Sequence, residues 1–152
     1  MIRKTVKTDL DAIIEIVKES GHFDENALAH VRETLESYLA GESDDLWLTA
    51  DDGEPVGVAY VAPEPVTDGT WNLLMLWTRS DRHGRGHGSA LVTAVESSVS
   101  ERRGRLLIVE TSGLPDFETA RNFYDQCGFT QEARVKDFFA AGDDKLIYTK
   151  TL

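Results

Sequence analysis

The stretch Arg82-His83-Gly84-Arg85-Gly86-His87-Gly88-Ser89-Ala90-Leu91 sets three alternating glycines between two apolar runs. Before it, Trp71-Asn72-Leu73-Leu74-Met75-Leu76-Trp77-Thr78 is too short for a typical helix. It is bounded by Gly69 and the polar Arg79-Ser80-Asp81, which predicts a buried strand. After it, Ala90, Leu91, Ala94, Val95 and Val99 recur at helical spacing up to Gly104, a residue suited to the stop just past a helix end. Strand, glycine loop and helix in series make an anion cradle. Glycines without Cβ let successive backbone N–H groups converge on a phosphate at the positive end of the helix. A flexible surface turn is the plain alternative.

The spelling of the loop removes two nucleotide readings. A P-loop ends in Gly-Lys-Ser or Gly-Lys-Thr, whereas Gly88 runs into Ser89 without a lysine. The dinucleotide fingerprint G-x-G-x-x-G needs glycine at 89 or at 91, and those positions hold serine and leucine. A second motif follows the predicted strand Arg105-Leu106-Leu107-Ile108-Val109-Glu110. It is Ala120-Arg121-Asn122-Phe123-Tyr124-Asp125-Gln126-Cys127-Gly128-Phe129, a short helix carrying a tyrosine and ending in Gly-Phe.

Together the two segments resemble the GCN5-related N-acetyltransferase (GNAT) superfamily over residues 71 to 129, in order and in separation. The acyl-CoA pyrophosphate loop of that superfamily reads Gln or Arg, two residues, Gly, one residue, then Gly or Ala. His83-Gly84-Arg85-Gly86-His87-Gly88 fits it except that His83 stands in the first position. The resemblance implies an α/β fold with a mixed, mostly antiparallel sheet of about seven strands, four helices and a V-shaped splay between the central strands. It implies acetyl-CoA as cosubstrate, no metal, and direct transfer of the acetyl group to a primary amine. A noncatalytic acyl-CoA sensor on the same fold is the alternative.

The resemblance also carries residue roles. Backbone groups of Leu76, Trp77 and Thr78 pair with the pantetheine arm, and Gly84, Arg85, Gly86, His87, Gly88 and Ser89 hold the pyrophosphate. Tyr124 serves the departing thiolate, and Glu110, at a strand end, takes a proton from the amine directly or through water. Many relatives carry an asparagine seven residues before the tyrosine. Here Phe117 stands there, so Thr119, Arg121 and Asn122 are the candidates for its cofactor contacts.

Length and composition agree with this reading. At 152 residues, 41% of them hydrophobic, one domain spanning 1–152 can bury a sizeable core. The N-terminus turns polar at once, and no apolar run approaches ~18 residues, so a cytoplasmic protein without membrane attachment is expected. The single cysteine, Cys127, reads as packing. A formal charge of −11 opposes binding of nucleic acid through a basic surface and favours a cationic acceptor. Fourteen aspartates against six lysines would also suit a high-salt cytoplasm. A monomer or a homodimer is compatible with all of this.

Around the motifs, residues 2–6 read as a strand, and Thr8 with Asp11 resembles a capping box opening a helix through Ser20. Asp24 caps a second helix that stops at Gly41. Leu46 to Ala50 and Pro55 to Val61 form a hairpin across Asp51-Asp52-Gly53, and Gln131 to Phe139 with Lys145 to Lys150 form a last one. Acceptor specificity is expected in 22–26, 63–68 and 137–144, with Asp137 among the groups facing an ammonium.

Overall fold

The computed structural model describes all 152 residues. Alternating apolar residues build a seven-stranded sheet from β1 (Ile2–Lys4), β2 (Leu46–Asp51), β3 (Pro55–Pro63), β4 (Thr70–Thr78), β5 (Leu106–Ser112), β6 (Thr130–Ala140) and β7 (Asp143–Thr151). Their order is β1-β2-β3-β4-β5-β7-β6, and every pairing is antiparallel except β4 with β5. Four helices cover the sheet: α1 (Leu10–Glu19), α2 (Glu25–Leu39), α3 (His87–Glu101) and α4 (Glu118–Gln126).

Strand alternation sends side chains to two cores, one on each face of the sheet. On one face Leu91, Val95 and Val99 of α3 and Tyr124 of α4 pack on Leu48, Leu73, Leu107 and Leu146. On the other, Ile13 and Val17 of α1 and Leu35 of α2 pack on Trp47, Val58 and Met75. A register shift between Tyr60 and Val61 pairs Val61 with Leu73 and Tyr60 with Met75, so Leu74 is the extra residue of a β-bulge. Leu73 and Met75 therefore point to opposite cores, although a regular strand would place both on one face.

The expected α1 cap is corrected. Thr8 lies inside a 3-10 turn, Lys7–Asp9, and α1 begins only at Leu10. Asp9, not Thr8, organises this corner: its Oδ2 accepts from the Val6 amide at 2.9 Å and from Arg3 at 2.7 Å. Asp24 caps α2 as expected, accepting from the Ala27 amide at 2.8 Å. The expected stop of α3 holds, with Gly104 just past the helix end. The left-handed residue is Arg103, at φ 64°, rather than Gly104. Gly104 is required for space, since a Cβ there would lie 2.1 Å from Cγ1 of Val99.

Candidate active site

The site begins where β4 and β5 part. They pair only at Thr70–Leu106, Trp71–Leu107 and Asn72–Ile108. Beyond that point Leu73 to Thr78 and Val109 to Ser112 face an open V, with backbone groups on the inner edges that have no strand partner. Such an edge accepts an extended chain as another strand would.

At the far end of β4 the chain turns through the 3-10 segment Ser80–Arg82 into the glycine loop. Gly84 and Gly86 have φ of 75° and 82°, a region that L side chains rarely adopt, and Gly86 is the N-cap residue of α3. The Ala90 amide already bonds to the Gly86 carbonyl at 3.0 Å, which leaves the preceding amides of the first turn outside the helix ladder. Those donors, with the helix dipole behind them, border a cavity of about 230 Å3 lined in part by Gly84, Gly86, His87, Gly88 and Ser89. Gly88 also admits Phe123: a Cβ there would stand 3.3 Å from Cζ of that ring. Phe123 thus forms part of the site wall.

Ion pairs set the loop against the β2–β3 turn. Arg82 reaches Asp52 at 3.2 Å and Glu54 at 3.1 Å, and Arg79 reaches Glu54 at 2.9 Å. His83 has Nε2 3.1 Å from the Thr78 carbonyl oxygen. A carbonyl can only accept, so that nitrogen carries the proton and donates. Arg85 is exposed and lies outside the cavity lining.

Two further cavities occupy the V. One, of about 490 Å3, runs from the loop past Leu76, Trp77, Thr78, Thr119 and Tyr124. The second, of about 380 Å3, lies toward the vertex and includes Glu110, Ser112, Phe139 and Asp143. Six residues line both: His22, Leu76, Trp77, Phe117, Ala120 and Tyr124. Tyr124 therefore stands at the junction.

The Gly-Phe ending of α4 explains how Tyr124 is aimed. Gly128, at φ 89°, follows the C-cap Cys127, and its amide donates to the Asp125 carbonyl at 3.1 Å. The Phe129 amide donates to the Tyr124 carbonyl at 3.0 Å, completing a Schellman closure. The turn folds Phe129 back edge-on to Tyr124, with centroids 5.7 Å apart. Burial, with the Cys127 side chain nearby, pushes the Tyr124 phenol above its ordinary range. Cys127 itself packs beside the core, with burial raising its thiol.

Glu110 lines the second cavity, and its Oε2 is 2.6 Å from Lys145 Nζ. Its Oε1 is 3.5 Å from Nδ2 of Asn72, a residue buried at the vertex that also donates to Glu64 at 2.9 Å. The sequence reading places both Lys145 and Asn72 in strands but assigns neither to the site, because they reach Glu110 only through strand pairing. Two expected cofactor residues are placed elsewhere. Arg121 donates to the carbonyls of Ser112 and Leu114 at 2.9 and 2.8 Å, bracing the β5–α4 loop, and Asn122 is exposed outside the cavities. Asp137 is taken up by the hairpin tip, where its Oδ1 accepts from the Gly142 amide at 2.8 Å.

This geometry coincides with a match of residues 42–131 to the acetyltransferase (GNAT) domain family. The chain belongs to the GNAT family. A GNAT-family protein from Desulfovibrio desulfuricans is 31% identical, over 99% of this chain and 98% of that one, with a TM-score of 0.92. A ribosomal-protein-alanine N-acetyltransferase from Brucella melitensis shares the GNAT fold at 22% identity and a TM-score of 0.81, covering 100% of this chain and 99% of its own. An aminoglycoside 6′-N-acetyltransferase complexed with coenzyme A does so at 17% identity and a TM-score of 0.83, covering 99% and 96%. No curated protein matches the chain in sequence. No helix of this GNAT protein is long and apolar enough to cross a membrane.

Proposed function

We propose that the chain is an N-acetyltransferase that uses acetyl-CoA and passes the acetyl group directly to a primary amine. The observation that carries this is the position of Tyr124, in the wall of both the cavity that leads from the glycine loop and the cavity at the vertex. Donor and acceptor enter from opposite sides and meet there.

The residues fit the donor. The amides at the start of α3 and the open positions of Gly84 and Gly86 suit a pyrophosphate, and no Cβ fills that space. The unpaired inner edge of β4 from Leu76 to Thr78 suits the amides of a pantetheine arm, and Thr119 adds a hydroxyl along the same wall. Bound acetyl-CoA supplies an activated acetyl thioester.

The chain's own work is proton handling. An alkylamine with a pKa near 10.4 is neutral in about 4 molecules in 10,000 at pH 7, which is roughly 4 to 5 kcal/mol of lost driving force. Glu110 accepts that proton, through water, in the acceptor cavity. Tyr124 keeps its own proton across the neutral range, because burial raises it further above a thiol near ~8.5. Its contribution is a hydrogen bond that strengthens as the departing sulfur gains charge, rather than complete proton transfer. Unpaired β4 amides inside the V face the oxygen that gains charge.

Tyr124→Phe is expected to lower kcat by about 10² to 10³ while CoA affinity, measured by titration calorimetry, stays within twofold. Turnover within twofold of the parent would remove Tyr124 from the chemistry. CoA binding with no thiol release from any amine would leave a sensor in place of an enzyme.

A further inference from the structure

The acceptor cavity has an unusual lining for a site that takes a charged amine. Eleven of its sixteen lining residues are hydrophobic, and its only carboxylates are Glu110 and Asp143. The His22 ring lies between Trp77 and Phe117, with centroids 5.4 and 5.1 Å away, and Phe23 meets Trp77 edge-on at 6.0 Å. Leu74 and Phe139, 49% and 50% exposed, also line the cavity. Large apolar side chains left open on a concave wall mark a surface that something apolar covers.

The polar end is small and specific. Asp143 accepts from the Ser112 hydroxyl at 2.5 Å and has no cationic partner. Two residues along β7, the Lys145 ammonium sits 2.6 Å from Glu110 and 4.1 Å above the Phe138 ring. The chain thus already places a primary ammonium between a carboxylate and an aromatic face, the surroundings that suit such a cation. A polycation or a sugar would instead set amino and hydroxyl groups against the side chains of Leu74 and Phe139, which neither donate nor accept hydrogen bonds, and would find only two carboxylates.

We infer that the acceptor is a primary monoamine with a flat or bulky apolar body, of the arylalkylamine kind, its amine at Glu110 and Asp143 and its body against the aromatic wall. This rests on the acetyltransferase reading. In the reaction the nitrogen–acyl bond forms and the carbon–sulfur bond breaks. Of the two protons the ammonium loses, one ends on sulfur and the other leaves to solvent through Glu110.

The full-length chain, saturated with acetyl-CoA, is assayed for thiol release with 2-phenylethylamine, ethylamine, spermidine and kanamycin. The expected result is a kcat/KM for 2-phenylethylamine at least tenfold above each of the others. Phe139→Ser is expected to cut the ratio of 2-phenylethylamine to ethylamine by about tenfold, through KM. Equal or greater kcat/KM for ethylamine, spermidine or kanamycin overturns the inference. If no amine releases thiol, 2-phenylethylamine is titrated against the CoA-bound protein by tryptophan fluorescence, with Trp77→Phe as the blank. Saturable quenching that the blank lacks upholds the apolar site and overturns the transferase reading alone, whereas no quenching overturns both.

Discussion

Glu110 and Tyr124 both line the second cavity but in different surroundings, and that difference fits the work proposed for each. Tyr124 is 8% exposed among the rings of Phe123, Phe129 and Tyr148, and burial holds its phenol neutral. Glu110 is partly open to solvent, with one oxygen on Lys145 and the other only 3.5 Å from the Asn72 amide. A base is needed most where the amine is protonated and least where it is already free. Glu110→Gln is therefore expected to lower kcat/KM by about 10²-fold at pH 7, with the deficit shrinking as pH approaches 10. Parallel pH profiles for the two proteins would remove Glu110 from the mechanism. Tyr124 was legible in the sequence because the Gly-Phe turn that aims it is local. Lys145, Asn72 and the His22–Trp77–Phe117 stack were not, because each joins segments that only the sheet and its connections bring together.

At the scale of elements, α3 and α4 end in the same hydrogen-bonded closure with the glycine in different places. In α4 the left-handed position holds Gly128. In α3 it holds Arg103, whose amide donates to the Ser100 carbonyl at 2.9 Å, while the Gly104 amide donates to Val99 at 2.8 Å. Sequence places the stop correctly, with Gly104 just past the helix end, but does not show that Arg103 takes the left-handed turn, because the constraint on Gly104 is tertiary. A side chain there would run into Val99 and come within 3.0 Å of Trp71. Arg103→Gly is expected to stabilise the protein by about 1 kcal/mol, by relieving the left-handed strain at an exposed site. Gly104→Ala is expected to cost about 2 kcal/mol. Urea denaturation measures both, and equal signs at the two positions would refute the assignment. The strands and helices themselves were legible from their periodicity. The bulge at Leu74 was not, since Trp71 to Thr78 reads as one apolar run.

In the whole molecule, the N-terminal strand is tied in through charge as well as pairing. Arg3 donates to Asp9 through both terminal nitrogens, at 2.7 and 2.9 Å, and to Asp51 at 2.8 Å, joining β1 to the start of α1 and to the end of β2. Burial alone would raise the Asp9 carboxyl, but the Arg3 and Val6 hydrogen bonds and a contact from Thr49 outweigh it and hold it below its ordinary 3.8. A carboxylate depressed in the folded state contributes stability that is present above its unfolded value and lost as pH falls through the folded one. Protonating the many exposed carboxylates of a chain with charge −11 acts in the opposite sense, by relieving self-repulsion, so the acid response of the wild type alone does not isolate Asp9. The difference between wild type and Asp9→Asn does. It is expected to be about 3 kcal/mol at pH 7 in urea denaturation, because the variant breaks a largely buried ion pair, and to shrink steadily below pH 4. A difference that stays constant from pH 7 down to the acid transition would show that the pair does not hold this corner of the fold through its charge.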